Sequence, residues 1–210
     1  LGDRFAFQST IRQRTVLHLA QSFGVDRARA DRVAVHALNL YDQSRGLLHH
    51  DDGPGRELLW AAAQLHTCGK SINISAYHKH SWYLIRHGEL LGYSEAEHRM
   101  VAAIGRYHRR SLPKKRHESW QLIEDRDQRR TVASMALLLR LAAALDRRPA
   151  AVIAGLRVQS LDGAVSIALE PAVPPPGQPE VDLSLERWSL RSCGPVVQEA
   201  CGLGLRVPEP

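Results

Sequence analysis

The fold is decided by residues 61–70, AAAQLHTCGK, where an apolar run with helical periodicity ends in a histidine, a glycine and a lysine. The run is apolar on nearly all sides, which predicts a central and buried helix. Two further histidines, His78 and His80, follow after an irregular connection. Histidines at the ends of buried helices are typical of metallohydrolases. Thr67 follows His66 and supplies no carboxylate, so the stretch indicates either a working metal site or the remains of one.

Composition favours a helical protein with an anionic partner. The 210 residues are 44% apolar and only 6% aromatic, which is enough for a packed core rich in Ala and Leu. The net charge of +6 suits nucleic acid, a nucleotide, polyphosphate or an acidic protein face. The alternative is that the positive charge serves no particular anion, as in many basic proteins.

The cysteines and the lack of a targeting segment favour a reducing cytoplasm. Cys68, Cys193 and Cys201 are odd in number and contain no CxxC pair, so we expect no disulfide framework. We expect no signal peptide, and the sequence contains no apolar run of the roughly 18 residues that a membrane span needs. Because it starts with Leu1 and not with Met, we expect a piece of a longer protein.

Hydrophobic periodicity predicts helices through most of the chain. Asp26 is a predicted N-cap, and Ser94 and Glu97 form a predicted capping box. The predicted helices are Arg4–Phe23, Asp26–Tyr41, Arg56–His66, His78–His87, Ser94–Tyr107 and Asp127–Leu145.

Composition changes after Pro149, where short strands replace helices. We predict a hairpin at 156–169 around Asp162-Gly163, a proline-rich loop at 171–179, a strand at 181–185, a short helix at 196–201 and a strand at 204–207. The predicted fold class is α+β, mainly α. We predict a helical domain over residues 1–148 and a small α+β module over residues 149–210.

Four residues near predicted helix ends could converge at one end of the bundle and hold a metal: His66, His80, His108 and Asp146. Neutral imidazoles with a carboxylate suit zinc, iron or manganese. Against this stands a simpler interpretation, since histidine is common in this chain and Asp146 could simply end its helix. We therefore expect no cofactor, with a divalent metal as the open alternative.

A basic loop at residues 106–117 is the second candidate, because it contains no acidic residue. Arginine forks bind phosphate oxygens in pairs and lysine adds a point charge. The candidate phosphate-binding residues are Arg106, Arg109, Arg110, Lys114, Lys115 and Arg116, with Lys70 and Lys79. The alternative is a solvated charged loop. We expect no sequence-specific DNA binding, since neither a recognition helix nor interleaved aromatic residues are clear.

Three further features carry little chemistry in this interpretation. Residues 49–52, HHDD, are predicted to be an exposed loop and not a site. Cys68 is predicted to be a small packed residue and not a reactive thiol. The sequence contains no nucleophile elbow and no glycine-rich phosphate loop.

Several of these segments resemble one known family. Residues 62–72, 78–85 and 106–110 resemble the C-terminal region of the exopolyphosphatase/guanosine pentaphosphate phosphohydrolase (Ppx/GppA) family, and residues 12–20 and 24–33 resemble the segment that opens it. The resemblance implies a helical bundle similar to the HD phosphohydrolase fold, followed by a small α/β module. It also implies that catalysis belongs to an N-terminal actin-like half, where Mg²⁺ would bind.

The resemblance also locates the metal ligands of the HD signature. Its histidine–aspartate pair falls on His66 and Thr67, and its late aspartate falls on Asp146. His80 and His108 match extra histidines that some HD proteins use for a second metal. The early-helix histidine falls on Arg29, with His36 as a possible substitute. Losing ligands in this way implies weak metal affinity.

The resulting hypothesis is an accessory domain that binds polyphosphate or a related phosphorylated ligand and forms a homodimer in the cytoplasm, with no membrane contact. Its parent enzyme would release terminal phosphate from polyphosphate or guanosine pentaphosphate. Two rivals remain open at this point: a free-standing metal-dependent HD phosphohydrolase acting on a nucleotide, and a dimerisation module without a ligand.

Overall fold

The computed structural model describes residues 11–209, which form a helical bundle followed by a small sheet with two helices. The bundle contains α1 (Ile11–Ser22), α2 (Arg27–Gln43), α3 (Gly55–Leu65), α4 (Tyr77–His87), α5 (Glu95–Tyr107), α6 (Glu118–Gln121) and α7 (Arg126–Leu145). The C-terminal part contains β1 (Ile153–Leu161), β2 (Ala164–Pro171), α8 (Ser184–Arg191), α9 (Gly194–Cys201) and β3 (Gly204–Arg206). The predicted α+β, mainly α fold class is confirmed.

Helix α3 lies at the centre of the bundle, as its apolar run predicts. Leu58, Leu59 and Leu65 are completely buried, and so are the three alanines between them. Helices α1, α2, α5 and α7 all contact α3, and the small alanine side chains let them approach closely. Truncating one of these leucines to alanine would cost about 2–5 kcal/mol by leaving a cavity.

The caps predicted from the sequence start the helices where expected. The Asp26 carboxylate accepts a backbone N–H of the first turn of α2 at 3.1 Å, and Ser94 and Glu97 form the reciprocal capping box of α5. Asp125 caps α7, so this helix begins slightly earlier than predicted. The predicted helix Arg4–Phe23 is described only from Ile11 onward, and its first turns lie outside the described residues.

The C-terminal part confirms three predictions and contradicts one: the hairpin is present, and α9 and β3 stand where a helix at 196–201 and a strand at 204–207 were predicted. Strands β1 and β2 form the predicted antiparallel hairpin, with Asp162 and Gly163 at φ +48° and +72° in its turn. Strand β3 pairs in parallel with the start of β2. The strand predicted at residues 181–185 is wrong, because helix α8 begins at Ser184. The Asp182 carboxylate accepts from the backbone N–H and the hydroxyl of Ser184, at 2.9 and 2.7 Å, and turns the chain into that helix.

Side chains and a shared core tie the C-terminal part to the bundle. The Gln43 amide at the end of α2 donates to the carbonyl of Leu156 at 2.9 Å and accepts from the N–H of Val158 at 3.0 Å. Arg148 forms a two-pronged ion pair with the fully buried Glu186 of α8. One cluster of buried apolar residues runs from the bundle into the sheet.

Candidate functional site

Asp146 lies at the end of helix α7 and forms ion pairs with two arginines. It is 5% exposed, and its Oδ1 and Oδ2 atoms lie 2.7 Å from Arg32 Nε and 3.0 Å from Arg29 Nε. Arg29 also donates to the backbone carbonyl of Asp146 at 3.1 Å. Both arginines come from one face of α2. The residue that stands at the expected histidine position therefore neutralises the acid that would have bound a metal.

Two of the candidate ligands, His66 and His108, lie together, and the charges of Arg29 and Asp146 act on His66. Each is 2% exposed, and their ring centroids are 4.9 Å apart. His66 Nδ1–H donates to the carbonyl of Ala63 at 2.7 Å, and His108 Nδ1–H donates to that of Gly105 at 2.6 Å. Burial lowers the pKa of His66 to about 4 and that of His108 well below its ordinary value. Both rings are therefore neutral at pH 7.

The donor set does not fit a resident cation. Both Asp146 oxygens are taken, Thr67 has no carboxylate, and the positive charges of Lys70 and Arg29 act on His66. His80 is half-buried on α4 and shares no hydrogen bond or ring contact with His66 or His108. Within residues 11–209, no group of three or more His, Cys, Asp or Glu side chains could hold a metal ion.

The eight candidate phosphate-binding residues share one property. We call them the basic cluster: Lys70, Lys79, Arg106, Arg109, Arg110, Lys114, Lys115 and Arg116. None of them forms an ion pair with any carboxylate in the described part of the chain, whereas twelve arginines elsewhere, from α1 to β3, do. Six are exposed and two, Arg106 and Arg109, are half-buried. The cluster is therefore a surface of uncompensated positive charge.

Nearby histidines show that the cluster joins two parts of the chain. Burial, followed by the charges of Arg106, Arg109 and Lys79, lowers the pKa of the buried His78 to about 4. The pKa of His117 is also lowered, first by burial and then by the charges of Arg106, Arg116, Lys114 and Lys79. Lys79 on α4 therefore lies close to the charges of the 106–117 loop.

Two cations of the cluster, Lys70 and Arg109, both contact the ring of Tyr77 instead of a carboxylate. Lys70 Nζ lies 5.1 Å and Arg109 Cζ 4.5 Å from the centroid of its ring, and the Tyr77 hydroxyl donates to His108 Nε2 at 3.2 Å. Cations are attracted to the face of an aromatic ring. Burial, followed by the charges of Arg29 and Arg109, lowers the pKa of Lys70. Sequence analysis missed Tyr77, although its place beside His78 and Lys79 was a signal.

Arg140 fixes the turn that presents Arg109 and Arg110. Its guanidinium donates to the carbonyls of Tyr107, His108 and Arg110 at 3.1, 3.1 and 2.8 Å. Arg110 has φ +65°, a left-handed conformation that costs a non-glycine residue energy and needs such support. The lone arginine inside the apolar run of α7 was the signal for this role, and sequence analysis did not assign one.

The remaining candidates are structural. The prediction of an exposed loop at residues 49–52 is wrong for His49, which is 1% exposed and stacks on Tyr41 with ring centroids 4.2 Å apart. Asp51 accepts from the Tyr41 hydroxyl at 2.8 Å and from the Thr131 hydroxyl at 3.2 Å. Cys68 is confirmed as a packed residue, because it is 1% exposed and burial raises its pKa to about 12.

Comparisons with known proteins match the sequence of this chain to a family. The family model described as Ppx/GppA phosphatase, domain III, matches residues 11–173. The chain is also 38% identical over 106 residues to the guanosine-5'-triphosphate,3'-diphosphate pyrophosphatase of Pseudoalteromonas translucida (strain TAC 125). That match covers 50% of this chain and 21% of the relative, so the chain matches about a fifth of the relative's length. No helix within residues 11–209 has the length and apolarity that crossing a membrane requires.

Proposed function

The chain belongs to the Ppx/GppA phosphatase family, and we propose that it binds polyphosphate or a related phosphorylated ligand through the basic cluster without hydrolysing it with its own residues. The observation that carries this proposal is the absence of any carboxylate partner for the eight cations within the described part of the chain. Clustered like charges repel one another, so a folded surface keeps them together at a cost that a bound anion removes.

Arg106 adds support for an anionic ligand. It is half-buried, and its Nη1 atom is buried without a hydrogen-bond acceptor among residues 11–209. Burial lowers its pKa because a guanidinium loses solvation inside the protein. A phosphate oxygen is the acceptor that best satisfies such a donor, since bonds between two ionised groups are about twice as strong as neutral ones.

The two ion pairs of Asp146 support a binding role over a hydrolytic one. HD-type hydrolysis needs a metal to activate water, and in this chain Arg29 and Arg32 take the carboxylate that such a metal would need. The rival, a metal-dependent phosphohydrolase, makes a clear prediction. If purified protein contained stoichiometric iron, manganese or zinc that His66→Ala removed, the rival would replace the binding proposal.

The parent enzyme is part of the proposal. The relative is named for acting on guanosine-5'-triphosphate,3'-diphosphate, and the family includes phosphatases, so we infer a parent that releases terminal phosphate from polyphosphate or from that nucleotide. Homodimer formation and a cytoplasmic location stay predictions from the sequence.

The test is binding of a fluorescent linear polyphosphate to a variant with four neutralised cations: Arg109→Gln, Arg110→Gln, Lys114→Gln and Lys115→Gln. Exposed ionic contacts are worth about 0.5 kcal/mol each, so four together should weaken binding by about 2 kcal/mol, or about 30-fold. Fluorescence anisotropy at low salt measures the loss.

The matched control removes the same charge from exposed arginines that already have acidic partners: Arg27→Gln, Arg130→Gln, Arg157→Gln and Arg206→Gln. The control should lose less than threefold. Equal losses in the two variants would mean that net charge alone attracts the ligand, and unchanged binding in the first variant would contradict the assignment to the basic cluster. No binding by wild type would favour a dimerisation module without a ligand.

A further inference from the structure

A groove of about 540 Å³ opens in the C-terminal part, between the end of β2 and helix α8. Its apolar wall includes Leu169, Val173 and Val181, and its polar residues are Glu180, Asp182 and Arg187. Small-molecule sites in proteins are typically clefts of roughly 300–1,000 Å³ that combine apolar walls with a few polar groups. No member of the basic cluster lines this groove, so it is a separate feature from the proposed phosphate surface.

Arg187 is the unusual member of the groove. It is 7% exposed, and its Nε atom is buried without any hydrogen-bond acceptor in the described part of the chain. The adjacent Glu186 is completely buried too, but Arg148 neutralises it with two bonds of 2.8 and 2.7 Å. A buried cationic N–H without an acceptor is costly, so Nε of Arg187 calls for an anionic acceptor.

The acidic residues of the groove do not supply that anion. The Asp182 carboxylate accepts hydrogen bonds from the N–H and the hydroxyl of Ser184. These two bonds are the main reason why the pKa of Asp182 is lowered, and the nearby arginines add a smaller effect. Arg187 acts on Asp182 through space, and no ion pair joins them within 4 Å. Asp182 and Glu180 are exposed, so they place negative charge at the rim of the groove.

We propose that this groove binds a small organic monocarboxylate. The carboxylate accepts hydrogen bonds from the Arg187 guanidinium, and its apolar body packs against Leu169, Val173 and Val181. A fork of guanidinium N–H groups matches the two oxygens of a carboxylate. The acidic rim selects against ligands with several negative charges, so phosphate and polyphosphate are disfavoured here although they suit the basic cluster.

The test uses 4-methylpentanoate as the probe, with 4-methylpentanamide and inorganic phosphate for comparison. Saturation-transfer NMR and a calorimetric titration should show binding of the carboxylate and at least tenfold weaker binding of both other compounds. Arg187→Met should reduce the carboxylate affinity at least tenfold and leave the thermal midpoint of the free protein unchanged or raised, since it removes an uncompensated buried charge.

A second variant keeps the test valid if Arg187→Met fails to fold. Val173 is 92% exposed, so Val173→Asp should fold normally and weaken binding by adding negative charge beside the ligand. Arg206→Met, which removes an exposed and already paired arginine, should leave binding unchanged. The proposal is overturned if wild type binds no carboxylate, if phosphate binds better, or if the Val173 variant binds as wild type does.

Discussion

Positive charges are paired with a carboxylate in one region of the bundle and unpaired in the region beside it. At the end of α7, Arg29 and Arg32 meet the buried carboxylate of Asp146, and every charge has a partner. None of the eight cations of the basic cluster has a carboxylate within ion-pair distance in the described part of the chain, and Lys70 and Arg109 meet at the ring of Tyr77. The difference separates two uses of arginine. The paired arginines neutralise a buried carboxylate and stabilise the bundle, whereas the unpaired cations of the basic cluster form the proposed ligand site.

Breaking the paired region should have the largest effect. Asp146→Ala leaves two arginines without their acid, and removing one partner of a buried ion pair costs about 3–5 kcal/mol. The Arg29 side chain is 41% exposed, so we expect the lower end of this range, about 3 kcal/mol. Urea unfolding followed by circular dichroism measures the loss.

The matched control for this substitution is Asp127→Ala, which breaks an exposed pair with Arg130 in the same helix. Exposed pairs contribute about 0–1 kcal/mol, so the control should change the free energy of unfolding by less than 1 kcal/mol. If both variants lost the same amount, Asp146 would have no special structural role.

The buried histidines should make the protein sensitive to acid. The pKa of His66 is about 4 in the folded protein and about 6.5 in the unfolded chain, so between these values the unfolded chain binds the proton. Stability is therefore complete above about pH 6.5 and decreases as pH falls towards 4. His66 alone should cost about 2 kcal/mol between pH 7 and pH 5.

Urea unfolding at the two pH values checks this prediction. His66→Gln should lower stability at pH 7, yet it should also reduce the loss between pH 7 and pH 5. An unchanged loss in this variant would mean that His66 is already protonated in the folded protein, against its neutral role beside His108.

The smallest effect tests how the unpaired region is held together. Tyr77→Leu removes the ring that faces Lys70 and Arg109, and a cation–π contact is worth about 0.5–1 kcal/mol. We expect polyphosphate affinity to fall about fivefold, as measured by anisotropy. Tyr77→Phe keeps the ring and loses only the bond to His108, so it should bind nearly as wild type does. Equal losses would assign the effect to the hydroxyl.

Periodicity and caps predict most of the fold because they depend on local chemistry. The apolar run of α3, the Asp26 cap and the Asp162–Gly163 turn each determine their own conformation. The start of helix α8 was not predicted because Val181 and Leu183 alternate with polar residues as in a strand. The helix begins instead because the Asp182 side chain accepts hydrogen bonds from Ser184, a contact that the apolar pattern does not show.

The residue types of the candidate site could be predicted from the sequence, but the partners that these residues contact could not. The sequence contained the histidines and the basic loop, but the partner of Asp146 lies on α2, far away along the chain. The roles of Arg140 and Tyr77 also arise from contacts between helices. Such long-range pairings follow from tertiary packing, which local patterns do not encode.

The salt dependence of polyphosphate binding tests the central claim most directly. Each phosphate contact releases a counterion, so the affinity of wild type should fall steeply as salt rises. Neutralising Arg109, Arg110, Lys114 and Lys115 should flatten the slope of log affinity against log salt by roughly 3, at about 0.7 per contact. The variant with four paired arginines neutralised should keep the wild-type slope. An identical slope in all three proteins would contradict the assignment of phosphate binding to the basic cluster.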